Sequence, residues 1–251
     1  MKASGPTVAP ITQSCLSART PPRVGACANY HYQAKGIPMT VLTERFSRGV
    51  DYARIAHAAQ VRKGSNIPYL YHLLGVASLV MEFGGNEDQA IAGLLHDTIE
   101  DCGAEHEQLI RTQFGDAVAD IVVACTDGTA EGKSTLVDAE AKKRDWMQRK
   151  LAYLAHLADA SDEALLVSAC DKLHNARAIV QDMKDSSVGM AVFERFKGGQ
   201  AGTLGYYEAL TRTFGNRNVQ VAPVLVAVVA RMHALAGNAE RKPLIDKAPR
   251  P

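Results

Sequence analysis

Ala90-Ile91-Ala92-Gly93-Leu94-Leu95-His96-Asp97-Thr98-Ile99-Glu100-Asp101 is the stretch on which the reading of this chain turns. An apolar run passes directly into His96, Asp97, Glu100 and Asp101, which crowd the next six positions. A core helix gains nothing from such an end unless the charges hold something. Adjacent imidazole and carboxylate groups on one helix offer a nitrogen and an oxygen to the same cation, and Glu100 and Asp101 follow one turn later on the same side. Acids at the C-terminal end of a helix also stand against its dipole, so their cost there must be offset.

Outward from this stretch the pattern is helical nearly throughout. Phe46, Val50, Ala53, Ile55 and Ala58 mark a first helix. Gly64 and Pro68 break the chain into a loop over 62–68, and His72 to Phe83 forms a second helix stopped by Gly84-Gly85. Asn86 is the expected N-cap of a third helix that carries His96-Asp97. Further helices are expected over 109–114, 116–125 and 136–157, with a polar loop over 127–134. Another opens at Ser161 and runs to about Met183, and segments 206–210 and 224–235 follow. There is no run of alternating strands and no internal repeat. The fold class is therefore all-α, a compact multi-helix bundle with one core.

Residues 1–38 are rich in Pro, Gly, Ser, Thr and Ala and lack periodicity, so a disordered N-terminal extension is expected there, with Met39 as an alternative translation start. The folded domain is expected over 39–240 and a flexible tail over 241–251. The formal net charge of +1 on 251 residues carries no global signal for nucleic acid or an anionic membrane. With no long apolar stretch after Lys2 a secretory signal is not expected, and Arg231 and His233 cut short the apolar run 221–229, well below the roughly 20 residues of a membrane span. The five cysteines are scattered and none forms a CxxC pair, which supports neither a disulfide framework nor a zinc ribbon and suits a reducing cytoplasm.

His72, His96, Asp97 and Asp171 are the candidate metal ligands. Two imidazoles and two carboxylates without a thiolate suit a divalent ion such as Mn, Fe or Zn and leave positions open for water and substrate. Glu100, four after His96 and three after Asp97, can orient or deprotonate a water, and Asp101 can share that task or protonate a leaving group. Arg62 and Lys63 offer a planar fork and a point charge to phosphate. Asn175 shares a helix face with Asp171 and can donate to ribose or phosphate. Lys172 and Arg177 can add positive charge, and Tyr69 or Tyr207 can cover a base or pack in the core. His57 and His174 are read as supporting or packing residues.

Arg62-Lys63, Pro68-Tyr69-Leu70-Tyr71-His72, Leu94-Leu95-His96-Asp97-Thr98-Ile99-Glu100-Asp101 and Asp171-Lys172-Leu173-His174-Asn175-Ala176-Arg177 together resemble the HD-domain hydrolases. The Arg-Lys loop before Pro-Tyr-x-x-His, and His-Asp-x-x-Glu-Asp, resemble the RelA/SpoT hydrolase domain and, more closely, the small stand-alone alarmone hydrolases related to the metazoan SpoT homologue. The likeness covers roughly 52–207. It implies an HD-domain bundle and a cytoplasmic enzyme of the stringent response that uses manganese to release pyrophosphate from the 3′ position of (p)ppGpp. It implies His72, His96, Asp97 and Asp171 as metal ligands, Glu100 and Asp101 as catalytic acids, and Arg62, Lys63 and Asn175 as substrate contacts. The partner implied is a small nucleotide, with neither nucleic acid nor membrane involved. The segment beyond Tyr207 is too short for the synthetase domain of larger relatives, so degradation without synthesis is expected. One departure stands out: Gly205 occupies a place where an aromatic usually precedes two tyrosines, here Tyr206-Tyr207. The alternatives are an HD hydrolase acting on ppApp, NADPH or a nucleoside monophosphate, and an idle nucleotide-binding sensor.

Overall fold

A computed structural model describes residues 40–127, 138–237 and 240–244. The expectations for 1–38, and for most of the loop over 127–134, lie outside the described residues. Ten α-helices account for most of what is described: α1 (Glu44–Ala56), α2 (Leu70–Glu82), α3 (Glu87–Leu95), α4 (Thr98–Cys102), α5 (His106–Phe114), α6 (Asp116–Cys125), α7 (Ala139–Asp159), α8 (Asp162–Lys184), α9 (Gly199–Asn216) and α10 (Ala222–Leu235). A 3-10 helix, Gly189–Arg195, links α8 to α9. Among the described residues the sole β-type pairing is an isolated bridge between Val61 and Pro68.

Helix starts follow local side-chain chemistry. The Thr43 hydroxyl accepts from Arg45 N–H, Asp138 from Ala141 N–H, and Ser161 from Ala164 N–H. Asn86 and Gln89 form a reciprocal capping box at the start of α3. Each such cap stabilises its helix by about 1 kcal/mol. Gly115, at φ 92°, separates α5 from α6 with a backbone conformation that side chains disfavour.

The core is built around α8, which packs against α2, α3, α6 and α10. Every residue of α3 from Gln89 to Leu95 is buried, so beyond Glu87 and Asp88 this helix has no solvent face and its C-terminal end lies inside the protein. Helices α2 and α3 approach closely at Gly93, where an added Cβ would stand 3.3 Å from the Ala77 Cα. That approach carries the first turn of α2 toward the end of α3. The buried stripe of α2 contains His72, Val76 and Leu79, and that of α8 contains Ala164, Val167, Ser168 and Asp171. Polar side chains at 72, 96 and 171 are thereby delivered to one place in the interior.

One boundary differs from the single third helix that the periodicity predicts. Helix α3 ends at Leu95; His96 is its C-cap, and Asp97 is the N-cap of the short helix α4. The Gly93 carbonyl, which a continuing helix would offer to the Asp97 N–H, instead accepts from His96 Nδ1 at 2.9 Å. The imidazole thus interrupts the helical ladder, and the doublet sits on a buried corner.

Candidate metal centre

Helix α2 supplies His72, the α3–α4 corner supplies His96 and Asp97, and α8 supplies Asp171. The donor atoms of His72, His96 and Asp97 lie within 4.8 Å of one another. His96 Nε2 stands 3.0 Å from Asp97 Oδ2 and 3.5 Å from Asp171 Oδ1, while His72 Nε2 stands 3.2 Å from Asp171 Oδ1 and 3.7 Å from Asp97 Oδ2. Both Nε2 atoms are buried and lack a hydrogen-bond partner among the described residues. Buried polar nitrogens without a bond are costly, on the order of 1–3 kcal/mol each. Ligand atoms about 2.1 Å from a shared divalent ion stand about 3.0 Å apart at neighbouring octahedral positions. The two orphaned nitrogens, the two carboxylates and these separations therefore fit a divalent cation held by His72, His96, Asp97 and Asp171.

The electrostatics fit the same picture. Burial pushes both imidazoles toward the neutral form. It prevails at His72, whereas at His96 the Asp97 charge, with Asp171, outweighs it and holds that imidazole well above its usual value. Burial also opposes the Asp171 charge, but Lys172 and the two histidines outweigh it and keep the carboxyl well below the usual range. Two carboxylates thus stay ionised in a buried pocket, the condition for binding a cation.

Each candidate ligand is held by a further group. Tyr69 donates its hydroxyl to Asp97 Oδ2 at 2.5 Å. Asp171 accepts from Lys172 Nζ on Oδ2 and from Asn175 Nδ2 on Oδ1, both at 2.6 Å. Asn175 in turn accepts from Arg62 Nη2 at 2.8 Å. Burial, with neighbouring His72 and Arg62, pushes His174 down to about 4, and its Nδ1 lies 2.9 Å from His72 Nδ1.

The sequence-based residues distribute around this centre as follows. Arg62 and Lys63 project from a tight hairpin closed by Arg62 N–H to the Ile67 carbonyl at 2.8 Å and Tyr69 N–H to the Gln60 carbonyl at 2.9 Å. Arg62 lies over the Tyr69 ring and reaches Asp171 through Asn175, so Asn175 is engaged with both. Lys63 lies 6.0 Å over the Phe196 ring, and partial burial with the nearby Lys197 lowers its pKa. Glu100 accepts from Asp127 N–H at 3.3 Å. Asp101 accepts from Gln60 Nε2 at 2.9 Å, and Gln60 Oε1 is 2.6 Å from His57 Nδ1. His57 is thus tied to Asp101 through Gln60, a supporting position. Tyr207 is buried in the core, and Tyr69 is occupied with Asp97.

Several contributors escaped the sequence reading. The Tyr69–Asp97 bond, the Gln60–Asp101 bond and the approach of Lys197 to Lys63 depend on which loops meet, and no spacing announces them. Lys172 and Asn175 could be placed beside Asp171 by their spacing, but their direct grip on its carboxylate could not.

A protein-family model described as HD domain matches residues 49–203. Over 130 residues the chain is 36% identical to a guanosine-3′,5′-bis(diphosphate) 3′-pyrophosphohydrolase of Xenopus tropicalis, covering 51% of this chain and 65% of that protein. It is 34% identical over 137 residues to a protein of the same description from Aquifex aeolicus, covering 54% of this chain and 18% of that one. It is 35% identical over 133 residues to a probable chloroplastic GTP diphosphokinase of Oryza sativa subsp. japonica, covering 51% of this chain and 17% of that one. The chain therefore spans less than two thirds of the length of these relatives. Its fold aligns with a solved metazoan orthologue of SpoT at a TM-score of 0.54 and 20% identity, over 79% of this chain and 99% of that one, a likeness of fold.

Proposed function

Because the chain belongs to the HD-domain family, we propose that it is a manganese-dependent hydrolase that releases pyrophosphate from the 3′ position of guanosine tetra- and pentaphosphate. The observation that carries this reading is the pair of buried, unpartnered Nε2 atoms of His72 and His96 facing Asp97 and Asp171, with Arg62 linked to the same group through Asn175. The descriptions of the Xenopus and Aquifex relatives name this chemistry.

A divalent ion at such a centre supplies a water of lowered pKa and polarises a phosphate oxygen. The remaining work falls to the chain. Arg62 and Lys63, on the hairpin before α2, neutralise and orient the substrate phosphates. The water oxygen bonds to the phosphorus attached to O3′, and the bond between that phosphorus and O3′ breaks. Glu100, one turn beyond the ligands, accepts the proton of the attacking water. Asp101, held by Gln60, gives a proton to O3′ as it leaves and regains one from the proton that Glu100 has taken. Tyr69 and Lys172 keep the two carboxylates oriented during the reaction.

The test is to incubate the purified full chain with Mn2+ and, separately, ppGpp, ppApp, NADPH and nucleoside monophosphates, and to measure pyrophosphate and orthophosphate. Pyrophosphate release from ppGpp is expected. Release of orthophosphate alone, turnover confined to another nucleotide, or none at all would overturn the reading.

A further inference from the structure

His96 and His72 face the same centre, but their rings are locked in different ways. His96 ends α3, where helix carbonyls are left without partners, and its Nδ1 donates to the Gly93 carbonyl. That bond engages Nδ1 as a donor and turns Nε2 toward Asp97 and Asp171. His72 has no such carbonyl at hand. It lies in the first turn of α2, and the Tyr69 carbonyl beneath it already accepts from the His72 backbone N–H at 2.9 Å. The ring nitrogen that points away from the carboxylates, Nδ1, meets instead the Nδ1 of His174 at 2.9 Å.

The setting of His174 is a shaped one. It stands three residues after Asp171 on α8, so the helix that supplies one ligand also supplies the partner of another. Its imidazole fills the space left by the missing side chain of Gly75, three residues after His72 on α2; a Cβ there would run into His174 Nε2 and Cδ2. The two imidazoles meet edge-on with centroids 4.8 Å apart, and Tyr71 covers the outer side of His174 at 5.4 Å. If His174 donated across this contact, His72 would carry its proton on Nε2, the nitrogen that faces Asp97 and Asp171, and would have no lone pair there for a cation. If His174 accepts, His72 carries the proton on Nδ1 and its Nε2 offers a lone pair at the position that faces Asp97 and Asp171.

We propose that His174 is a positioning residue that accepts the Nδ1 proton of His72 and thereby fixes His72 as an Nε2 ligand. The proposal rests on the metal-centre reading above and deepens it. The experiment compares the full-length wild type with His174→Phe, which keeps the ring shape without an acceptor, and His174→Asn, whose side-chain amide can place an acceptor near the position of Nδ1. His72→Ala serves as the control. Two quantities are read: Mn2+ affinity by titration calorimetry, and the protonated nitrogen of His72 in metal-free, 15N-histidine-labelled protein by long-range 1H–15N correlation spectra. His174→Phe should weaken Mn2+ binding about 10- to 100-fold, the usual effect of losing a group that orients a ligand. It should also move the His72 proton from Nδ1 toward Nε2, and His174→Asn should restore both properties.

If His72→Ala loses Mn2+ while His174→Phe retains both wild-type affinity and the Nδ1–H form, the role of His174 is refuted and the metal centre stands. If the Asn and Phe variants are equally impaired, His174 merely packs, and the inference fails in the same way. If the wild type and His72→Ala bind Mn2+ equally, the metal centre itself is wrong at His72, and the inference goes with it.

Discussion

Asp171 shows how much one side chain carries here. Its Oδ1 faces both imidazoles and accepts from Asn175, and its Oδ2 accepts from Lys172. Asp171→Asn, which keeps the size but removes the charge, is expected to abolish stoichiometric divalent-metal binding, measured by metal analysis of the dialysed protein. Glu100→Gln should leave the metal content unchanged and lower turnover about 10²- to 10⁴-fold, the scale of a lost general base; turnover retained at the wild-type rate would remove Glu100 from the chemistry. The four proposed ligands were legible in the sequence because imidazole and carboxylate at helical positions in an apolar setting have few other uses. The groups that hold them were not. Tyr69 reads as an aromatic that covers a base or packs in the core, and nothing in its neighbours says that its hydroxyl reaches Asp97 across 28 positions.

Among the elements, the α2–α3 pair does most to assemble the centre, and Gly93 is its closest point. A side chain there meets the backbone of α2 at Ala77, which cannot swing aside as a flexible side chain would. Gly93→Val is therefore expected to destabilise the fold by about 1–3 kcal/mol, the range for overpacking, read as a lower midpoint in urea. It should weaken metal binding in parallel, since His72 and His96 ride on the separated helices. The helices were largely legible from periodicity and caps: Asn86 and Ser161 stand where the sequence placed them, and 116–125 forms α6 as expected. The α3–α4 corner was not legible, because it arises when the His96 side chain takes the Gly93 carbonyl, and periodicity cannot register a side chain competing with the backbone. The 3-10 helix Gly189–Arg195 escaped for a related reason, being too short to show a repeat.

At the scale of the molecule, the unusual Gly205 has a packing explanation. Its missing side chain leaves room for 242–244, whose backbone comes within 3.3 Å of where a Cβ would stand; Leu244 N–H donates to the Gly205 carbonyl at 2.7 Å, and Arg241 pairs with buried Glu208 at 2.8 Å. Restoring an aromatic, as in Gly205→Phe, should displace residues 241–244 and speed tryptic cleavage at Arg241 and Lys242, followed by mass spectrometry. The all-α class was legible from the whole chain, whereas this docking of the C-terminal segment was not, because its contacts join residues that no local pattern relates. The centre also ties distant parts of the molecule together. His72 and Asp171 stand roughly a hundred residues apart in sequence, so an ion that grips both closes a long loop in the folded chain. Saturating metal should raise stability by about 2.7 kcal/mol at a free concentration a hundred times its Kd, seen as a higher melting temperature. In this light the ion is a removable staple, and a chelator becomes a solvent for the fold: stripping the centre would loosen α2 from α8 and expose the bundle to proteases, tying the lifetime of the protein to the supply of its metal.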